Sequence, residues 1–336
     1  MPRRRNRSDF EYKVASYDAP VLRVLKIQNE DVPTDAIGVE IEMTYGDAVQ
    51  HVTEGVARTI GRDYASHILG KSSARDLATD MILDSTREIL GDENMRGVAK
   101  WDGSIGNGFE IATEPLPFSR IESIAHCYGK LLEIGKPTLR CGLHAHIHRK
   151  AFLFTEALQA WAWLWSRKQV VLVLSGRSVK RLERWANPEY TPNIWLDGAY
   201  LMRSDGYNVW RGVLSEHHSS VCFRHKHTAE LRVFAAPTTE LLAHQRLQLI
   251  LATVNYARSR AIGSTVSWRE FFAWLEKRKD IYPFAAAYVR RRRKKLLAAD
   301  DVHIKHYIEE IPSGESNNAD ESYDNDDGEY ESNYDD

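Results

Sequence analysis

The chain has 336 residues, 43% of them hydrophobic, so it is long enough for one large domain or two of ordinary size. No stretch reaches the roughly 18 consecutive apolar residues that a membrane span requires, and no apolar run follows the charged N-terminus as it would in a signal peptide. The formal net charge is −2, but residues 309–336 carry 12 Asp and Glu and no Lys or Arg, so the rest of the chain is basic.

Composition divides the chain into three regions. Residues 1–20 are a basic lead-in, residues 21–300 hold the folded domain, and residues 309–336 form an acidic tail. The tail is predicted to be disordered, because a sequence rich in Ser, Asn, Asp and Glu cannot bury enough apolar surface to offset chain entropy. The cysteines, three in number, are too few and too scattered for a disulfide framework or a CxxC zinc site. This pattern favours a cytoplasmic location.

The first predicted strand is Ala36–Thr44, in which apolar and polar residues alternate. Glu40 and Glu42 share one face about 7 Å apart, since strand side chains alternate between faces and each residue advances the strand by about 3.3 Å. Neighbouring carboxylates repel each other and are usually relieved by a metal ion, Lys or Arg. A solvent-exposed sheet face explains this strand equally well when it is taken alone.

A helical stretch over residues 52–92 precedes the second predicted strand, residues 109–114, which ends at a proline. Asp102 stands at the entry of the glycine-rich turn before this strand. Glu110 and Glu114 share one face of the strand, so carboxylates again line one side.

A helix over residues 118–134 leads to the third predicted strand, residues 140–148. His144, His146 and His148 share one face of this strand, with apolar residues behind them. One strand histidine is usually structural, but histidine is also the commonest metal ligand and binds phosphate when charged. Three in register indicate a site.

The next predicted helix covers residues 154–174, and its tryptophans indicate core packing. A cluster of four cations follows it: Arg177, Lys180, Arg181 and Arg184. Arginines of such a cluster are suited to contacts with a polyphosphate.

The last predicted strand covers residues 228–234, in which apolar and polar residues alternate. It follows shorter predicted strands at residues 207–212 and 220–223. It places Glu230 and Arg232 side by side on one face. A carboxylate beside a guanidinium on an otherwise well-patterned strand is unusual, and the earlier strands show the same feature.

A helix over residues 240–258 and two shorter helices up to about residue 299 complete the predicted domain. The last of them carries the basic run over residues 290–295. Such a run is typical of nucleic-acid binding, but a solvated helix end that complements the helix dipole explains it better, so no nucleic-acid partner is expected.

Taken together, at least four strands have one apolar face and one face of carboxylates, histidines or Arg, with no Lys expected there. Carboxylates suit hard divalent cations, and metal ions with Arg around a phosphoryl group are the electrostatic requirement of phosphoryl transfer. The sequence has neither a Walker A motif nor the protein-kinase motif set, which excludes those two folds.

Four segments resemble the amidoligase family, a branch of the carboxylate–amine ligases related to glutamine synthetase and γ-glutamylcysteine synthetase. They are Gly38-Val39-Glu40-Ile41-Glu42, Asp102-Gly103-Ser104 with residues 109–115, Gly142-Leu143-His144-Ala145-His146, and Glu230-Leu231-Arg232-Val233-Phe234. The resemblance covers roughly residues 35–260. It implies an α+β fold, in which a curved antiparallel sheet forms half a funnel with helices on its convex face. It also implies ATP- and Mg-dependent ligation of a carboxylate to an amine through an acyl phosphate.

The resemblance further implies roles for individual residues. The implied metal ligands are Glu40, Glu42, Asp102, Glu110, His144, His146 and Glu230, which would hold two or more Mg²⁺ ions. Glu230 and Arg232 would be catalytic. Contacts with ATP or substrate would come from His146, Arg177, Arg184, Asn208, Arg211 and Arg232. The partners implied are small-molecule or peptide carboxylates and amines, without a membrane, and an oligomer is compatible with all of this.

Two other functions remain open at this stage. His144-Ala145-His146 also resembles the HxH strand of zinc amidohydrolases, for which His217, His218, His225 and His227 offer further ligands. That fold requires repeated βα units with HxH near their start, whereas here HxH follows about 140 residues. The third function is a non-catalytic protein that binds through its basic surface.

Overall fold

The computed structural model of the chain describes residues 21–44, 84–102, 105, 108–188, 218–225, 227–260 and 266–298. Seven strands of this part of the chain form a single open sheet in which every pairing is antiparallel. The strands are β1 (Ala36–Thr44), β2 (Gly97–Asp102), β3 (Gly108–Thr113), β4 (Leu116–Pro117), β5 (Gly142–His148), β6 (Val221–Cys222) and β7 (Thr228–Ala235). Their order across the sheet is β2-β3-β1-β5-β7-β6, with β4 beside β1. The predicted α+β class is confirmed.

All the described helices but the first contribute to the hydrophobic core that the apolar side of the sheet enters. The helices are α1 (Val21–Val24), α2 (Ile121–Leu131), α3 (Thr155–Trp165), α4 (Lys168–Ser175), α5 (Val179–Trp185), α6 (Glu240–Arg258), α7 (Trp268–Glu276), α8 (Pro283–Arg291) and α9 (Arg293–Ala298), and residues 84–92 are also helical. Among the described residues, no helix is both long and apolar enough to cross a bilayer.

Strand β1 shows why the sheet has two different faces. Its odd-numbered residues from Ile37 to Met43 are fully buried apolar side chains, while Glu40 and Glu42 alternate with them. The alternation has a period of two, so all the apolar side chains enter the core and the carboxylates lie together on the other face. Because β1 pairs with both β3 and β5, this polar side is at the centre of the sheet.

Helix α6 is the centre of the helical layer and packs against α2, α3 and α8. Its N-cap is Thr239, whose side chain accepts the backbone N–H of Leu242. The indole N–H groups of Trp161 and Trp165 both donate to the hydroxyl of Thr253, at 3.1 and 3.3 Å. One threonine hydroxyl of α6 thus serves two buried tryptophans of α3.

Two predicted helices are interrupted. The helix predicted over residues 154–174 is two helices, α3 and α4, because Ser166 turns its hydroxyl onto the carbonyl of Trp163 and Arg167 leaves the helical conformation. The helix predicted through the basic run ends at Arg291 and restarts at Arg293, so three helices rather than two follow α6.

Strand β7 contains a β-bulge opposite β5. Leu143 pairs with Phe234 and Ala145 with Leu231, so β7 has one residue more than β5 between these pairs. Arg232 therefore contacts Glu230, whereas Phe234, two residues further on, packs edge-on against Trp165 in the core. Bulges often redirect a side chain beside a functional site.

Candidate active site

The sheet register brings the predicted site residues together on what we call the polar face: Glu40, Glu42, Lys100, Glu110, His144, His146, Glu230 and Arg232. Glu110 lies opposite Glu42 on one side and Lys100 on the other, Glu40 opposite His144, and His146 opposite Glu230. Residues from five strands thus form one continuous polar surface.

Lys100 is the residue that the sequence-based prediction missed, and the expectation of a face without lysine was wrong. Its Nζ lies 2.9 Å from Glu110 Oε1 and 3.3 Å from Glu40 Oε1. Strand β2 places it directly opposite Glu110, and only 5% of its surface is exposed. The local pattern offered little signal: Val98 and Lys100 share one strand face without a common character, and the glycine-rich turn that follows obscured the short strand.

Lys100 and Glu110 have perturbed pKa values because both are buried beside other charges. Burial acts to lower the pKa of Lys100, but the charges of Glu40 and Glu110 outweigh it and hold that pKa above its ordinary value. Burial, together with the charge of nearby Glu40, raises the pKa of Glu110 to about 8 despite its contact with Lys100. One ammonium group therefore does not fully satisfy the carboxylates around it.

Two histidine nitrogens point into the carboxylates. His144 Nδ1 lies 3.6 Å from Glu40 Oε2, and His146 Nε2 lies 3.2 Å from the same oxygen. Among the described residues, neither nitrogen has a hydrogen-bond partner although both are buried. Burial acts to lower the pKa of His146, but the charges of Glu40 and Glu230 raise it. Each nitrogen can bind a cation when its ring is neutral, whereas the raised pKa of His146 favours the protonated ring, which pairs with Glu40 instead.

His148, the third histidine of β5, has a different role. Its ring nitrogen accepts the backbone N–H of Lys150 at 3.2 Å and caps the short 3-10 helix that follows. Burial and the charge of Lys150 lower the pKa of His148. It therefore acts as a structural cap at the end of the strand.

Glu230 and Arg232 form a buried ion pair beside these histidines. Arg232 Nη1 donates to Glu230 Oε1, while Glu230 Oε2 lies 3.3 Å from His225 Nε2. Burial acts to raise the pKa of Glu230, but the charges of Arg232 and His146 hold it well below its usual range. Arg149 donates to the carbonyls of Phe223 and His225 at 2.8 and 2.7 Å and so fixes the turn that carries His225.

Two groups of side chains have the spacing of a metal site. In His146, His225 and Glu230, and again in Glu40, Glu110 and His144, the candidate ligand atoms lie within 4.8 Å of one another. The unpartnered nitrogens of His144 and His146 fit a metal ion, since neutral imidazole is a common ligand. The first group fits better, because Lys100 already lies between two carboxylates of the second.

Glu42 and Arg177 meet behind His144. Glu42 Oε2 accepts the backbone N–H of Gly142 at 2.6 Å, while Arg177 donates to the carbonyls of Val233 and Phe234 at 3.1 and 2.9 Å. A Cβ on Gly142 would lie 2.6 Å from Arg177 Nη2 and 2.7 Å from His144 Nε2, so this close approach requires glycine. Burial lowers the pKa of Arg177 to about 10. Two of its donors anchor β7 instead of facing solvent.

The remaining predicted residues are not brought to the polar face by any described contact. Arg184 is exposed, and its guanidinium lies over the ring of Trp185, 4.7 Å from the centroid. Asp102 ends β2, but its side chain is outside the described part of the structure, as are Asn208 and Arg211. In the basic run, Arg290 pairs with Glu276 and Arg292 lies over the ring of Tyr288.

Comparison with known proteins adds no relative: no family model matches the chain, and no curated protein matches it at a significant level. The polar face combines four carboxylates, two histidines, Lys100 and Arg232. The carboxylates and histidines can bind cations. Arg232 can hold a phosphate and stabilise developing negative charge.

Proposed function

We propose that this chain is an ATP- and Mg²⁺-dependent carboxylate–amine ligase of the amidoligase type, forming an amide or isopeptide bond through an acyl phosphate. The observation that carries the proposal is the meeting of separate motif segments on one face of one sheet. Glu40 and Glu42 come from β1, Glu110 from β3, His144 and His146 from β5, and Glu230 and Arg232 from β7. The open antiparallel sheet with helices on its apolar side supports a glutamine-synthetase-like half-funnel as part of this proposal.

In the proposed reaction, the polar face binds ATP phosphates and a substrate carboxylate together. Mg²⁺ held by Glu230, His146 and neighbouring carboxylates would neutralise charge on the phosphate oxygens. A carboxylate oxygen of the substrate attacks the γ-phosphorus and ADP leaves. Arg232 stabilises the negative charge that develops on the transferred phosphoryl group. The amine then attacks the acyl carbon, inorganic phosphate leaves, and the amine loses one proton to solvent. The reaction is proposed to take place in the cytoplasm on small-molecule or peptide substrates.

The test is ADP release with Mg²⁺ across a panel of carboxylic acids and amines, followed by mass spectrometry of the amide product. Glu230→Gln keeps the side-chain volume and an oxygen that can accept from Arg232, and Arg232→Lys keeps the positive charge beside Glu230, whereas an alanine at either position would keep neither. Each is expected to lower the rate by at least about 100-fold, as does loss of a charge-stabilising group. Arg269→Gln, at an exposed arginine of α7 with no assigned role, is the control and should keep wild-type rates. Amide formation at wild-type rates in both polar-face variants contradicts the proposal.

One observation favours a second candidate, a zinc-dependent hydrolase. His146, His225 and Glu230 offer two imidazole nitrogens and one carboxylate oxygen, the ligand set of several hydrolytic zinc sites. Purified protein with about one equivalent of zinc and amide hydrolysis without ATP would favour this candidate over the ligase. The two functions are thus separated by the zinc content of the purified protein and by the nucleotide requirement of the reaction.

A further inference from the structure

Lys100 stands where the second group of candidate metal ligands would hold its ion. Its Nζ contacts Glu110 Oε1 and Glu40 Oε1, and these two residues with His144 make up that group. A divalent cation bound to the same oxygens would lie within a few ångströms of an ammonium group and be repelled by it. The lysine and the ion therefore compete for one position.

The position of Lys100 is fixed by the sheet. It lies on β2 directly opposite Glu110 in the ladder, and the residue is almost fully buried. A surface lysine can swing away from its partners at little cost, whereas this side chain is held between Glu40 and Glu110 by the backbone pairing of β2 with β3.

The first group of candidate ligands differs in this respect. Arg232 also neutralises its carboxylate, but it contacts Oε1 of Glu230, and the other oxygen faces His225 at 3.3 Å. An ion bound by that oxygen and His225 would replace the contact between them and leave the contact with Arg232 in place. The two groups thus have different capacities although their residue types are similar.

We propose that the ammonium group of Lys100 occupies one of the two cation positions of the polar face, so that Glu40, Glu110 and His144 bind no divalent cation while Lys100 is present. The inference rests on the proposed function, because it reduces the number of metal ions that the ligase site uses. In this proposal the positive charge of Lys100 takes the place of a bound metal ion.

The test counts the Mn²⁺ ions bound to the full chain by electron paramagnetic resonance of free Mn²⁺. Lys100→Met should bind one ion more than the wild type, because removal of the ammonium group opens the second position. Lys130→Met is the matched control, since Lys130 lies 3.9 Å from carboxylate oxygens of both Asp92 and Glu93 at the surface. It should bind no additional ion. An unchanged count in Lys100→Met, or an equal gain in the control, overturns the inference.

Glu110→Gln gives a second measurement that does not depend on how well Lys100→Met folds. It keeps the contact of Lys100 with Glu40, and it should leave the number of bound ions unchanged. A loss of one ion in Glu110→Gln shows that Glu110 is already a metal ligand and overturns the inference. The ligase proposal is judged separately, by ADP release in the wild type: without ADP release, a gain of one ion in Lys100→Met still supports the role of Lys100.

Discussion

Replacing Arg232 by methionine is expected to destabilise the fold strongly, because Arg232 and Glu230 are an ion pair with 8% and 1% of their surfaces exposed. The variant keeps most of the side-chain volume but leaves the carboxylate of Glu230 buried without its main cation. Removing one partner of such a pair costs about 3–5 kcal/mol. His225 Nε2 lies 3.3 Å from Glu230 and keeps its contact with that carboxylate in the variant, so we expect the lower end, about 3 kcal/mol.

The assay is urea unfolding at pH 7 with a chelator present, so that bound metal does not contribute. Glu230→Gln combined with Arg232→Met provides the control, since it removes both charges and should recover at least about 1 kcal/mol relative to the single variant. The reasoning is refuted if Arg232→Met lies within about 1 kcal/mol of the wild type, or if the double variant is no more stable than the single one.

Three further predictions concern the core, the polar face and the cysteines. Thr253→Val removes the acceptor of two buried indole N–H groups and should cost about 2–4 kcal/mol in urea unfolding, whereas Thr253→Ser keeps the hydroxyl and should cost about 1 kcal/mol. Gly142→Ala should lower the free energy of unfolding by about 1–3 kcal/mol. Gly38→Ala is the control and should be tolerated, because its new methyl group would approach no atom closer than 3.7 Å. Equal melting temperatures of the two variants would contradict this reasoning. Burial, with the charge of Glu93, raises the pKa of the Cys127 thiol to about 12, so alkylation of the folded protein should stay slow from pH 7 to about 10 but rise through about pH 9 in urea.

The parts of the site that sequence could predict are those set by local alternation. The period of two in β1, β3, β5 and β7 identifies the strands and the face on which their polar residues lie. Glu40, Glu110, His146 and Glu230 were therefore predictable as members of one face. Their contacts followed only from the register, which depends on pairing between distant segments.

The parts that could not be predicted depend on tertiary structure. Lys100 becomes a site residue only through its pairing with Glu110, and the glycines after β2 obscured that strand. The bulge in β7 adds one residue against β5, which leaves no mark in the local pattern of Arg232 and its neighbours. Arg177 belongs to a predicted cationic cluster, yet the carbonyls of β7 decide where its guanidinium points.

The arrangement of strands in the sheet also determines when the polar face can exist. The bond from the Gly142 N–H to Glu42 joins residues 100 apart in sequence, and Lys100 contacts Glu40 across 60 residues. Contacts between residues so far apart in sequence require the closure of a long loop, which costs chain entropy. They are therefore slow to form, and we expect them late in folding. During synthesis, the position formed by His146, His225 and Glu230 is incomplete until β7 has emerged, because Glu230 and Arg232 are the last of the eight polar-face residues in the chain. A nascent chain that stops short of β7 therefore leaves one edge of β5 unpaired, and the emergence of β7 is the step that completes the polar face.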